Sequence, residues 1–127
     1  MKILFLEPFF GGSHKDFALG FAGHSSHDVD LVTLPDRFWK WRMQGASLYF
    51  INQIKNLAEY DLIFTTDMMY LTDFMALGGR KLPPIVMYFH ENQLSYPLGF
   101  HGKKELHLGF GNIVSAPDIR YVFVLLL

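Results

Sequence analysis

The chain has 127 residues, the size of one domain; half of them are hydrophobic, and the formal net charge is −1. A charge this small excludes a broadly basic surface for nucleic acid, so contact with a polyanion has to be local. The chain has no cysteine, which excludes disulfides, thiolate metal ligands and cysteine nucleophiles. The high hydrophobic fraction indicates apolar surface that a partner or a further domain covers. We expect residues 1–127 to be one domain of a longer protein.

The two ends of the sequence predict neither an export signal nor a membrane anchor. The first apolar run is broken after Leu6 by Glu7 and Pro8, which makes it too short for the core of a signal peptide. The closing run, Tyr121–Leu127, is far shorter than the roughly 20 residues of a membrane helix. We therefore expect a cytoplasmic protein without membrane contact.

Short apolar runs alternate with segments of helical length along the whole chain. The runs are rich in Ile, Leu, Val and Phe, which is typical of strands buried on both faces. The predicted strands are Lys2–Leu6, Val29–Leu34, Leu62–Thr66, Ile85–Phe89 and Ile119–Leu127. The predicted helices are His14–Ala22, Gly45–Ala58, Tyr70–Leu77 and about Lys104–Val114. This alternation predicts an α/β fold with a Rossmann-like parallel sheet and helices on both faces.

In an open α/β sheet, ligands bind beyond the carboxyl ends of the strands. Four segments occupy that position in the predicted fold. They are Pro8–His14, Pro35–Gln44, Thr66–Met69 and His90–Pro97. Candidate functional residues are therefore sought there first.

The loop after the first strand contains Gly11 and Gly12, followed by Ser13 and His14. Glycines let a ligand approach the backbone, and the amides at a helix start attract phosphate. Ser13 is predicted to cap the helix in a capping box with Asp16. A simple tight turn explains the glycine pair about as well, and His14 has the alternative of being a solvated residue of the first turn.

The segment Asp36–Arg42 interleaves three aromatic residues with three basic ones and a single acid. Aromatic faces stack on bases while Arg and Lys bind phosphates, a combination that suits a single-stranded or loop nucleic acid. The candidate contacts are Trp39, Lys40, Trp41 and Arg42. In the alternative, the tryptophans pack on the domain while the cations stay solvated.

The predicted fourth strand ends on four polar residues, His90, Glu91, Asn92 and Gln93. His90 is a candidate proton carrier or sugar-hydroxyl ligand, and Glu91 is a candidate acid–base group. Adjacent residues of a strand point to opposite sides, so one of the two is expected to be structural. Leu94 stands where the zinc-protease motif needs a second histidine, so that motif is absent.

These segments resemble the N-terminal domain of the tRNA-queuosine α-mannosyltransferases. The matching blocks are Phe10–Lys15, Leu34–Pro35, Trp39–Arg42, Ala46–Phe50 and Tyr88–Pro97, and the resemblance runs to about Ser115. Beyond it, the tail departs from the family pattern. Pro117 is expected to end the preceding helix early.

The resemblance implies the N-terminal, acceptor-side half of a two-domain B-type glycosyltransferase. Such an enzyme is retaining, needs no metal or cofactor, and transfers mannose from GDP-mannose to queuosine in the anticodon loop of aspartate tRNA. It also implies that Gly11 and Gly12 lie near the donor phosphate and that His90 faces the sugar. Asn92 and Gln93 are taken as further acceptor contacts. A chain without the C-terminal, donor-binding domain is expected to be inactive alone.

The residues themselves leave two other functions open. One is a glycosyltransferase domain that acts on a lipid or glycan acceptor. The other is a non-catalytic, flavodoxin-like module that binds a phosphate ligand or a protein partner.

Overall fold

The structure is a computed structural model that describes residues 1–79 and 81–90 and the backbone of residues 121–124. The five strands are β1 (Lys2–Phe10), β2 (Asp28–Pro35), β3 (Leu62–Thr66), β4 (Ile85–Phe89) and β5 (Tyr121–Val124). The three α-helices of the described residues are α1 (Gly12–His24), α2 (Trp39–Gln53) and α3 (Leu71–Gly78), and a short 3₁₀ turn spans Leu57–Glu59.

All strand pairs are parallel, and the five-stranded sheet has the order β2-β1-β3-β4-β5. Strand β1 therefore lies inside the sheet, where Phe5 pairs with Leu31 of β2 and with Phe64 of β3. A strand with neighbours on both sides and helices on both faces meets apolar groups at every residue, which is why its sequence does not alternate. The predicted parallel α/β sheet is confirmed.

Successive residues of each strand contribute to two separate cores. Leu4 and Leu6 of β1 pack toward α2 and α3, in a cluster with Phe50 and Phe74. Ile3 and Phe5 pack on the opposite face, where the ring of Phe5 lies 5.5 Å from that of Phe21 in α1. Burying each such side chain contributes about 1.5–3 kcal/mol to stability. Helices thus cover both faces of the sheet, as predicted.

Several element boundaries differ from the sequence prediction. Strand β1 continues past Leu6 to Phe10, with a register shift against β2 between Glu7 and Phe10. Helix α1 begins at Gly12 and its cap residue is Gly11, without a side-chain cap. The predicted capping box of Ser13 and Asp16 is therefore wrong, because Ser13 already lies inside the first turn.

Helix α2 is displaced from its predicted position. It begins at Trp39, six residues before the expected start at Gly45, and ends at Gln53. The aromatic–basic segment therefore forms the first turn of a helix instead of a loop. The carbonyl of Phe38 accepts hydrogen bonds from the backbone N–H groups of Trp41 (2.8 Å) and Arg42 (3.1 Å), which begin the helical ladder there, and Trp39 packs on Met43 and Met68.

Some predictions fall on residues that the structure does not describe. The helix about Lys104–Val114 and the effect of Pro117 lie outside the described residues. The last predicted strand is confirmed over Tyr121–Val124, where its backbone pairs with β4. Among the described residues, no helix is both long and apolar enough to cross a membrane.

Candidate functional site at the carboxyl edge of the sheet

Polar side chains from three neighbouring strands and one helix meet at the carboxyl edge of the sheet. Glu7 lies near the end of β1, Thr66 ends β3, His90 follows β4, and His14 comes from the first turn of α1. The chain leaves β1 toward β2 on one side and later returns to β3 on the other. The site therefore lies at the topological switch point, where open α/β sheets bind their ligands.

Glu7 is fully buried, with 0% of its surface exposed. The hydroxyl of Thr66 lies 3.0 Å from each carboxylate oxygen, and the backbone N–H of Phe9 donates to Oε1 at 3.0 Å. The bulge in β1 after Glu7 brings that N–H back toward the carboxylate. A buried carboxylate is tolerated only where donors replace its lost water, and here donors from two strands do so.

His14 is a further hydrogen-bond partner of the Glu7 carboxylate. Its Nδ1 lies 3.2 Å from Oε1 of Glu7, and the residue is 7% exposed. The alternative that His14 is a solvated first-turn residue is therefore wrong. A carboxylate only accepts hydrogen bonds, so the contact requires the proton of this bond to lie on Nδ1.

His90 packs directly on His14, with ring centroids 3.9 Å apart and ring planes 35° apart. Its backbone N–H donates to Oδ1 of the buried Asp67 at 3.3 Å. The rings of Phe17 and Tyr88 lie nearly perpendicular to its ring, at centroid distances of 5.3 and 4.7 Å. Nε2 of His90 is buried and has no hydrogen-bond partner within the described part of the chain.

Burial and the positive charge of neighbouring His14 lower the pKa of His90 to about 4. The desolvation of the ring is the larger cause, because an imidazolium loses more hydration than a neutral imidazole. His90 is therefore neutral at physiological pH. The site thus offers one histidine paired with a carboxylate and one neutral histidine stacked on it.

Glu7, His14 and His90 also offer three ligand atoms that lie within 4.8 Å of one another, so a metal ion has to be considered. The carboxylate is already surrounded by the donors of Thr66, Phe9 and His14. Imidazoles bind a metal through lone pairs in the ring plane, and two rings stacked at 3.9 Å do not direct these lone pairs to one point. The arrangement fits a hydrogen-bonded cluster better than a metal centre.

The glycine loop has one position that only glycine can fill. A side chain on Gly11 would overlap the carboxylate of Asp36, which reaches across from the segment after β2. Gly12 has φ +51°, a left-handed conformation that favours glycine, and open space faces its Cα. The packing against Asp36 supports the tight-turn interpretation for Gly11, and Ser13 lies exposed beside it.

The aromatic–basic segment separates into buried and exposed residues. Trp39 is half-buried and packs against Met43 and Met68, as the packing alternative expects, and the Lys40 ammonium lies 5.6 Å from its ring centroid. Nε of Arg42 donates to the carbonyl of Pro35 at 3.3 Å.

Two aromatic residues of the same segment face solvent instead. Trp41 is 73% exposed, and Phe38, which the sequence analysis had not singled out, is 75% exposed. Phe38 also has φ 51°, a left-handed conformation that costs a bulky residue about 1–2 kcal/mol. The exposed surface of this segment is therefore formed by Phe38 and Trp41, with the exposed Arg37 and Lys40 beside them.

The structure brings His14 and His90 together with the glycine loop but leaves other candidates untested. Glu91, Asn92 and Gln93 lie outside the described residues. Glu7 is a site residue that was not predicted, and Thr66 lay within the predicted ligand-binding segment Thr66–Met69 without being singled out. Each stands at the carboxyl end of a buried strand, and that position was the available signal for Glu7, which the sequence analysis treated only as a break in an apolar run.

The fold and this edge define a Rossmann-like α/β domain with a polar site at its switch point. A family model described as tRNA-queuosine alpha-mannosyltransferase N-terminal matches residues 2–122, and the chain belongs to this family. The match continues beyond Ser115, where we expected the resemblance to end.

A curated relative gives the same identification. The chain is 32% identical over 119 residues to a tRNA-queuosine alpha-mannosyltransferase of Drosophila melanogaster. The alignment covers 89% of this chain and 30% of the relative, so the chain spans less than a third of that protein's length. No solved structure matches the chain.

Proposed function

We propose that the chain is the N-terminal, acceptor-side domain of an enzyme that transfers mannose from GDP-mannose to queuosine in aspartate tRNA. The observation that carries this proposal is the family match over residues 2–122, in a chain whose buried polar cluster lies at the ligand-binding edge of the sheet. A tRNA-modifying enzyme acts inside the cell, and we propose the cytoplasm as its location.

A second domain is part of this proposal. The chain corresponds to 30% of the Drosophila relative, and in a two-domain transferase the nucleotide pocket lies mostly in the other domain. The chain alone is therefore expected to be inactive. Its own contribution is the wall of the cleft that faces the sugar and the acceptor.

The proposed transfer breaks the bond between the mannose anomeric carbon and the diphosphate oxygen, forms a bond from that carbon to a hydroxyl oxygen of the queuosine ring with retained configuration, and releases GDP and the hydroxyl proton. Negative charge develops on the departing diphosphate. The N-terminus of α1 at Gly12 and Ser13 offers backbone amides to it without a metal or a cofactor. His90 orients the sugar through its buried Nε2, and Glu91 remains the candidate acid–base group beside it.

The contact with tRNA is proposed for the exposed part of the aromatic–basic segment. Phe38 and Trp41 offer faces on which unpaired bases stack, while Arg37 and Lys40 supply local positive charge in a chain whose net charge is −1. Trp39 and Arg42 support this surface from within, because one packs on the core and the other ties the helix start to Pro35. Asn92 and Gln93 stay further candidate contacts.

Nucleoside mass spectrometry tests the proposed reaction. Aspartate tRNA carrying queuosine is incubated with GDP-mannose and the full-length protein that contains this chain, and the nucleosides are then analysed. The expected result is a hexose added to queuosine. An unmodified nucleoside, with folded protein and intact tRNA verified, would contradict the proposal and redirect it to lipid or glycan acceptors. Omitting GDP-mannose, or replacing it with another sugar nucleotide, checks the donor.

A further inference from the structure

We propose that Glu7 is a positioning residue that fixes His14 in its Nδ1–H form against His90. The two stacked imidazoles then face the substrate as a unit of fixed orientation. The proposal rests on the proposed function for the chemistry that this unit serves. Its structural part concerns only the atoms of Glu7, His14 and their neighbours. That part can be tested without any turnover.

The first argument is that Glu7 has no freedom to move. It is fully buried, and its carboxylate is held by the Thr66 hydroxyl from β3 and by the Phe9 N–H from its own strand. Side chains held from two strands of a parallel sheet keep their position to a fraction of an ångström, which is what an orienting group requires. The carboxylate therefore presents Oε1 to His14 in a fixed direction.

The second argument concerns the proton of His14. Oε1 of Glu7 lies 3.2 Å from Nδ1, and an ionised carboxylate can only accept. The proton of the neutral ring consequently lies on Nδ1, and Nε2 is the nitrogen that gains or loses a proton. A carboxylate behind a histidine fixes the tautomer and stabilises the imidazolium without contacting the substrate itself.

The third argument is the division of charge between the two rings. The described titratable groups that face the pair are Glu7 from β1, Asp67 directly after β3, and Tyr88 from β4, whose ring centroid lies 4.7 Å from that of His90. Glu7 contacts His14, whereas Asp67 accepts from the backbone N–H of His90 and leaves its ring uncompensated. Two stacked cations at 3.9 Å would repel each other, so the carboxylate decides which ring carries the charge.

The consequence for the substrate is that the two histidines play different parts. His14 supplies a positive or proton-donating group next to the N-terminus of α1, where an anionic leaving group is expected. His90 stays neutral, and its unpartnered Nε2 is suited to a sugar hydroxyl. Loss of the carboxylate would remove this distinction while leaving both rings in place.

The test compares the full-length protein with its Glu7→Gln variant, which keeps the size of the side chain but removes its charge and replaces one acceptor oxygen with a donor NH2 group. Glu59→Gln is the matched control, because Glu59 is half-exposed, contacts Lys2 and Tyr60, and precedes β3, whose other end carries Thr66. The first readout is ¹⁵N NMR of histidine-labelled protein, with the His14 signals assigned by their loss in His14→Asn.

At a pH where His14 is neutral, the expected spectrum of the parent protein shows a single tautomer of His14, with the proton on Nδ1. In Glu7→Gln the two ring nitrogens are expected to move toward the averaged positions of a tautomer mixture, and Glu59→Gln should leave them unchanged. A parent protein in which His14 is already a mixture, or is protonated on Nε2 alone when neutral, would overturn the proposal. The decisive spectrum is that of the parent protein, so the test holds even if Glu7→Gln is unstable.

The second readout is mannose transfer to tRNA. Glu7→Gln is expected to lower kcat by at least about tenfold with KM for tRNA within threefold, in the range of acid–base and orienting effects. The pH dependence of kcat should also change, and Glu7→Asp should restore part of the rate. A folded Glu7→Gln variant with parental kcat and pH profile, or stoichiometric zinc bound to His14 in the purified protein, would overturn the proposal. If the parent transfers no mannose, the proposed reaction fails, and the NMR result alone decides the role of Glu7.

Discussion

The buried cluster at the carboxyl edge and the exposed aromatic–basic segment after β2 differ in how far their side chains are enclosed by the fold. At the edge, Glu7 and His14 are enclosed, and their groups are oriented by neighbours in the fold. In the segment, Phe38 and Trp41 extend into solvent. The difference indicates that the edge is preorganised for chemistry on a small group. The segment presents a surface that a large, flexible partner can cover.

The two regions are in contact. Asp36, which begins the aromatic–basic segment, packs against the backbone of Gly11 in the loop after β1. Changes on one side of this contact therefore reach the other. Variants away from this contact are expected to affect one region at a time.

The largest effect is expected at His90. His90→Ala should lower the rate of mannose transfer at saturating tRNA by about 100-fold or more, because the neutral ring that orients the sugar is lost. The measurement is single-turnover transfer followed by nucleoside mass spectrometry. His24→Ala is the control, since His24 is exposed at the end of α1. A variant that keeps the parental rate would remove the buried edge from the mechanism.

The contact between the regions is tested by Gly11→Ala. The added Cβ would overlap the Asp36 carboxylate, so we expect a loss of about 1–3 kcal/mol in the free energy of unfolding. Urea denaturation measures this loss. Asp36→Gly in the same chain should restore most of it, because the overlapping carboxylate and Cβ atoms are removed. A double variant no more stable than Gly11→Ala would show that the two segments do not meet as described.

Trp41 is the sharpest probe of the exposed segment. Trp41→Ala should weaken binding of single-stranded RNA by 1–3 kcal/mol if one base stacks on the ring, with little change in stability. Trp39→Ala should instead lower stability, because that ring packs on Met43 and Met68. In residues 1–127 expressed alone, which contain two tryptophans, Trp39→Phe leaves Trp41 as the sole indole, and RNA should quench its fluorescence. Unquenched fluorescence at saturating RNA would exclude stacking on Trp41.

The smallest expected effect is a pH dependence of stability that comes from His90. Its pKa is lowered to about 4 in the folded chain, whereas the unfolded chain keeps the ordinary value of 6.5. Below pH 6.5 the unfolded state binds more protons, so stability should fall as the pH decreases from 6.5 toward 4. Urea denaturation at pH 7.5 and 4.5 measures the change, and His90→Gln should reduce it. An equal fall in both proteins would assign the effect to other groups.

The sequence predicts the core of the fold because burial leaves a direct pattern. Strands β3 and β4 begin and end where their apolar runs do, at Leu62–Thr66 and Ile85–Phe89. The start of α2 was missed, since Trp39–Arg42 has no apolar periodicity of its own and becomes helical through backbone bonds to Phe38. Local composition favoured a loop, and the tertiary contact of Trp39 with Met68 favoured a helix.

The candidate site was predicted only in part, for a related reason. His14 and His90 stood out as polar residues at expected ligand-binding positions. Glu7 did not, because an acidic residue followed by Pro8 is typical of the end of a strand. Its role becomes visible only in the structure, where the register shift in β1 and the hydroxyl of Thr66 surround the carboxylate. Partners 59 residues apart in sequence meet only through the parallel pairing of β1 with β3.

The most direct test of the account is a side-by-side kinetic comparison of His90→Ala and Trp41→Ala in the full-length protein, with queuosine-containing aspartate tRNA and GDP-mannose. The account predicts that His90→Ala lowers kcat with KM for tRNA within about threefold, while Trp41→Ala raises KM by about tenfold with kcat nearly unchanged. If both variants change the same parameter, or if the parent forms no mannosylated queuosine, the assignment of chemistry to the buried edge and of RNA binding to the exposed segment is contradicted.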